Sequence, residues 1–128
     1  NKPILLLAVP FYYEEPSVKK KGKENVFVVV DDMPTFKGGD AGLLKFISDN
    51  LNYPEIAKIN NIKGKVIVKF RVRYDGIVDN IIVAKGADPF LDEEAVRVIS
   101  LLPPFKPGKM KGKPVNVWYS LPIEFSLD

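Results

Sequence analysis

The sequence predicts an α+β domain in which two helices cover one face of a sheet, and three observations carry that prediction. From Lys65 to Arg73, Val66, Val68, Phe70 and Val72 fall on one side of an extended chain, and Lys65, Lys69, Arg71 and Arg73 on the other. From Val115 to Leu127 an apolar set, Val115, Val117, Tyr119, Leu121, Ile123, Phe125 and Leu127, alternates with Asn116, Trp118, Ser120, Pro122, Glu124 and Ser126. Between and before these strands, two stretches repeat apolar residues at three- and four-residue spacing, as amphipathic helices do. A hairpin cannot bury its own apolar face, so the helices are read as its cover.

Taken in order, residues 1–24 pass from ILLLAVPFYY through an acidic step to a basic run, Lys19, Lys20, Lys21 and Lys23. They read as a tail or linker with room for one extra N-terminal strand around Ile4–Val9, and residues 25–128 read as the domain. The lysines read as a solvated linker, with an anionic-lipid or nucleic-acid patch as the alternative. Val26–Val30 is a β-branched run ended by Asp31-Asp32 and read as a strand; Pro34, Gly38 and Gly39 then interrupt regular structure. Asp40 is placed to cap a helix whose apolar positions are Leu43, Leu44, Phe46, Ile47 and Leu51. Pro54 opens a second short helical turn at its first position.

The central hairpin turns at Asp75-Gly76, a dipeptide that tolerates positive φ, and returns from Ile77 to Ala84. The parity of the return strand breaks between Val78 and Ile81, which predicts a bulge near Asp79-Asn80. Asp88-Pro89 starts another helix with Asp92, Glu93 and Glu94 in its first turn and Leu91, Ala95, Val98, Ile99 and Leu102 as its apolar face. Pro103-Pro104 stop it, and FKPGKMKGKP reads as a basic loop. In the last strand Pro122 has no N–H for a neighbour, which places that strand at a sheet edge or at a bulge. The order is (β)αββαβ.

Composition narrows the chemistry. The 128 residues contain neither cysteine nor histidine, which removes thiol chemistry, histidine bases and the usual structural zinc ligands. The acidic cluster at Asp92 is explained by its place at a helix start, and Gly38-Gly39 lacks the Gly-Lys-Ser/Thr of a phosphate loop. Neither a catalytic site nor a cofactor is expected. The longest uninterrupted apolar run, Ile4–Val9, falls short of the roughly 20 residues that span a bilayer. The chain opens on Asn1 rather than Met, so any signal or anchor is expected upstream. A net charge of +3 permits nucleic-acid binding without demanding it. The same element order is the plan of RNA-recognition domains, with the basic sheet face and Trp118 as the surface that RNA would meet.

From Tyr53 to Leu127 the chain resembles the C-terminal domain of TonB, the periplasmic energy transducer of Gram-negative bacteria. The words that carry this are YPEIAKINNIKGKVIVKFRVRYDGIVDNIIVAKGADP and LDEEAVRVISLLPPFKPGKMKGKPVNVWYSLPIEF. The preceding DDMPTFKGGDAGLLKFISDNLNYP is similar to an extension common in TonB-like proteins of the Bacteroidetes. The resemblance implies a three-stranded antiparallel sheet with two helices on one face, the last strand lying at the edge beside the first strand of the hairpin. It implies no enzymatic activity.

Its partners would be TonB-dependent outer-membrane receptors, whose TonB box is captured as an added strand. On that reading the partner-binding residues are Val115, Asn116, Val117, Trp118, Tyr119, Ser120, Leu121, Ile123, Glu124 and Phe125, with Asn50, Leu51, Asn52 and Tyr53. Asn50 stands where the family has a glutamine; the amide is kept and its reach shortened. A transducer would be periplasmic and anchored in the inner membrane, meeting the ExbB–ExbD motor through an N-terminal segment absent from this chain. A TonB-like sensor or adaptor domain of a membrane peptidase-type protein is the alternative parent. An exposed last edge also offers a route to a homodimer. From composition, a titration of the purified protein with zinc or calcium is expected to show no stoichiometric binding; a one-to-one isotherm would contradict this.

Overall fold

Alternating and helical patterns meet in one antiparallel sheet whose apolar face carries the helices. A computed structural model describes residues 4–5, 9–14 and 31–127. The elements are β1 (Ile4–Leu5), β2 (Val9–Glu14), α1 (Gly39–Asn50), α2 (Glu55–Ile59), β3 (Gly64–Val72), β4 (Val78–Lys85), α3 (Pro89–Ser100), β5 (Gly108–Met110) and β6 (Lys113–Phe125). The strand expected at Val26–Val30 lies outside the described residues.

The sheet runs β1-β6-β3-β4, with β2 continuing alongside β6 beyond β1 and β5 forming a small hairpin with the start of β6. The hairpin β3–β4 and the final strand β6 are the three strands expected. The bulge also falls where parity broke: the register jumps from Lys69↔Ile82 to Arg71↔Asp79, and Asn80 takes a positive φ of 49°. A second shift lies between Ile67 and Val68.

Val66, Val68, Phe70 and Val72 of β3 are fully buried, facing Leu91, Ala95, Val98 and Ile99 of α3, which are buried too. At about 1.5–3 kcal/mol for each such side chain removed from water, this layer outweighs any single surface contact. Phe70 and Tyr119 stack across β3 and β6 with ring centroids 5.5 Å apart. Burial, aided by the charge of Asp40, holds the Tyr119 phenol far above its usual pKa. α1 and α2 pack against α3, and Leu43 and Ile47 are the buried side chains of α1.

Several local expectations shift. Gly38, with a left-handed backbone, occupies the N-cap of α1, and Asp40 lies inside the first turn without capping it. Pro54 is the residue before α2 rather than its first residue. The basic loop contains a strand, β5, because Lys111 and Gly112 (φ 53° and 78°) form a two-residue turn of the type whose twist matches a hairpin. α3 starts as expected, with the Asp88 carboxylate accepting the Phe90 N–H at 2.9 Å.

The Asp75-Gly76 turn is held from outside as well as by its own bonds. The Phe105 N–H donates to the Gly76 carbonyl at 2.8 Å, and Phe105 packs edge-on to Phe36. A Cβ at Gly76 would stand 2.0 Å from the Phe105 carbonyl oxygen in addition to occupying a φ of +89°. At Gly112 the φ is +78° but no atom lies within 4 Å of the same position. Gly112→Ala is therefore expected to cost about 1–2 kcal/mol in urea unfolding, the penalty of a left-handed residue. Gly76→Ala should cost at least about 1 kcal/mol more, since backbone must move. Equal losses would mean that the Phe105 backbone yields freely.

Candidate functional site

Thirteen residues long, β6 is the longest strand among the described residues, and its two sides are used differently. Along one side β3 pairs without interruption from Gly64↔Phe125 to Val72↔Val117. The other side was expected to be a sheet edge. Instead Ile4 and Leu5 pair with Glu124 and Ile123, and Val9–Glu14 pairs with Ser120 through Asn116, antiparallel throughout. Among the described residues the pairs of β1 reach Ile123 and those of β2 start at Ser120; Pro122, which has no N–H to offer a neighbour, lies between them along β6. A further register shift lies between Pro10 and Tyr12. The physical reason for the difference is that an open row of main-chain donors and acceptors pairs with any extended segment within reach.

Of the residues named as a binding strand, Val115, Val117, Tyr119, Leu121, Ile123 and Phe125 have buried side chains. Only their main chain can be offered to a partner. Trp118, Ser120 and Glu124 are half-buried on the opposite face. Asn116, expected to point outward, is buried, and its Oδ1 accepts the Tyr74 N–H at 2.7 Å, pinning the hairpin end to β6. On the open face the Arg71 guanidinium lies 5.7 Å from the Trp118 ring centre and donates twice to Asp79 at 2.8 Å. A cation already stacks on the aromatic that RNA would need, and a carboxylate already pairs with that cation.

The segment Asn50–Tyr53 is fixed from α3. The Asn52 N–H donates to Glu94 Oε2 at 2.7 Å, and Arg97 holds both Glu94 oxygens at 2.8 Å while donating to the Asn50 carbonyl at 2.7 Å. The helix start alone therefore does not account for Glu94: it is buried, and it serves a loop 42 residues earlier. Its carboxylate raises the pKa of Arg97 through their hydrogen bond. The Asn50 amide turns back to the Phe46 carbonyl at 2.8 Å. Leu51 and Tyr53 are buried; the Tyr53 hydroxyl donates to the Ile62 carbonyl, and burial raises its pKa. An open cleft of about 450 Å³ lies beside this segment, with Pro54, Glu55, Phe90 and Glu93 in its walls.

The two groups of site residues meet at one point. Tyr53 packs edge-on to Phe125, ring centroids 5.5 Å apart, so the loop abuts the C-terminal end of β6. Asn116 lies roughly 30 Å away at about 3.3 Å per residue. Glu94 and Arg97 were missed from the sequence; their i,i+3 spacing marks an ion pair, but nothing in it names the loop they grip.

Residues 49–127 match the family model of the Gram-negative bacterial TonB protein C-terminal. The fold is similar to NMR solution structures of the Helicobacter pylori TonB C-terminal domain. A longer fragment of that domain is 32% identical, with 67% of this chain and 78% of that one covered and a TM-score of 0.56. A shorter fragment is 28% identical, with 67% and 90% covered and a TM-score of 0.49. No curated protein matches the chain.

Removing the Glu94 carboxylate should loosen the loop first. Glu94→Ala leaves the Asn52 N–H without its acceptor, a cost of about 1–3 kcal/mol, whereas Glu94→Gln keeps an acceptor and should lose less. Amide hydrogen exchange is expected to quicken at Leu51–Tyr53 while β3 stays protected; uniform quickening would make the contact a global rather than a local restraint.

Proposed function

The chain belongs to the TonB C-terminal family, and we propose that it is a non-enzymatic periplasmic domain that captures the TonB box of outer-membrane receptors by strand addition. The parent on this reading is an energy transducer that powers active uptake, held at the inner membrane and driven by ExbB–ExbD through a preceding segment. A sensor or adaptor would use the same edge, because capture depends on the strand and not on what the domain is attached to.

One observation supports this reading above the rest: the outer side of β6 accepts an extended segment from a distant part of the chain by main-chain pairing. The side chains of β6 are committed to the core, so affinity arises from backbone bonds, and preference comes from the half-buried Trp118, Ser120 and Glu124. The fixed loop Asn50–Tyr53, at the Phe125 end, adds a second contact for a receptor and orients it.

Proline substitutions from Asn116 to Glu124 test the edge, with circular dichroism as the folding control and calorimetry with a synthetic TonB-box peptide as the readout. At least one variant is expected to fold normally yet lose the peptide, whereas Ser120→Ala and Glu124→Ala should change affinity by about 0.2–1 kcal/mol. If every folded proline variant keeps full affinity, or if peptide-induced amide shifts map to Lys106–Lys113, the docking edge is wrong.

A further inference from the structure

The family match begins at residue 49, so the two N-terminal strands that lie along β6 are outside the residues that the family model matches. Their positions are those a captured peptide would take: antiparallel to β6, spanning Asn116 to Ser120 and Ile123 to Glu124, on the side that β3 does not use. We propose that the strands Ile4–Leu5 and Val9–Glu14 are a built-in competitor, a self-ligand that covers the β6 edge until a receptor segment displaces it. This rests on the reading of that edge as the capture site.

The chemistry of the occupant also defines the class of ligand. ILLLAVPFYYE is apolar and aromatic, carries a single proline, and has no charge before Glu14. An extended segment can satisfy the main-chain row of β6 at any sequence. A run rich in large apolar residues adds buried area to those bonds. The edge is thus matched to extended, weakly charged peptides with aromatic or branched residues, and acidic or lysine-rich segments should compete poorly.

Tethering makes the competitor strong without any unusual contact. Residues 15–30 join it covalently to the described domain, so its pairing with β6 is intramolecular, and a short tether can raise effective concentration to about millimolar. The apparent affinity for an incoming peptide then falls by the fraction of molecules whose edge is open. An edge closed nine times in ten weakens capture about tenfold.

The test uses the full chain and changes only the competitor. In an antiparallel pair alternate N–H groups face the partner, so Tyr12→Pro with Tyr13→Pro removes an inward donor whichever parity holds. Circular dichroism confirms folding; should that variant fail to fold, Val9→Gly with Tyr12→Gly weakens the strand while keeping its donors. Two probes are titrated into wild-type and opened chains: a synthetic peptide of residues 4–14 and a synthetic TonB-box peptide. The opened chain is expected to bind the 4–14 peptide with amide shifts along Val115–Glu124, and to bind the TonB-box peptide at least tenfold more tightly than wild type. Equal TonB-box affinity in the two chains overturns the self-ligand and leaves the capture function standing. Binding of the 4–14 peptide at β6 with no TonB-box binding upholds the self-ligand and overturns the receptor reading. An opened chain that ignores the 4–14 peptide overturns the proposal outright.

Discussion

Every residue of a strand brings one main-chain donor and one acceptor, except proline, and these groups alternate between its two sides. β6 has thirteen residues, and much of the molecule follows from how its two rows are met. β3 satisfies one row along nine residues, and that pairing places Phe70 on Tyr119 and brings the two apolar faces into a single surface for the helices. The other row cannot be met by the hairpin, whose second strand already lies beyond β3. The segments Ile4–Leu5 and Val9–Glu14 meet it instead. The far side of the sheet is treated differently: β4 carries two register shifts, and such irregularities twist an edge and spoil it as a template.

This division sets what the domain can recognise and how. With Val117, Tyr119, Leu121, Ile123 and Phe125 all turned into the core, substitution at those positions would alter stability before it altered selectivity. The side chains that can discriminate between ligands sit on the opposite face or in the loop before α2. That loop is held by Glu94 and Arg97 from α3, whose other face packs on the sheet. The sheet and the loop are therefore positioned by the same helix, and Tyr53 against Phe125 joins them directly.

Much of this was legible in the residues. Alternation identified the buried face of β3 because every second side chain meets α3, and the parity break at Asp79-Asn80 located the bulge because an extra residue must flip the pattern. The last strand was equally plain. Its outer neighbours were not, and the edge expected from Pro122 is covered by β1 and β2, since the pattern of a strand reports which face is buried and is silent about which neighbour it pairs with. Val9–Glu14 has no alternation and contains Pro10, so nothing in it announces a strand. β5 was hidden in a run of lysines, glycines and prolines because three residues are too few for a period. Asn116 looks outward by parity, yet Tyr74 needs an acceptor there, a demand created only by the hairpin end folding against β6. The grip of Glu94 on Asn52 spans 42 residues, a distance over which local patterns carry no information.

The described pairs of Ile4–Leu5 and of Val9–Glu14 lie on either side of Pro122 along β6. Pro122 has no N–H to give to a neighbour on either side. A newcomer that takes hold beside Pro122 has a foothold from which to advance in either direction, gaining a bond for each one that it breaks. The exchange of strands then resembles the migration of a branch point along paired nucleic acid. Its speed would be set by the first few contacts, and the total number of bonds exchanged would decide only which strand remains.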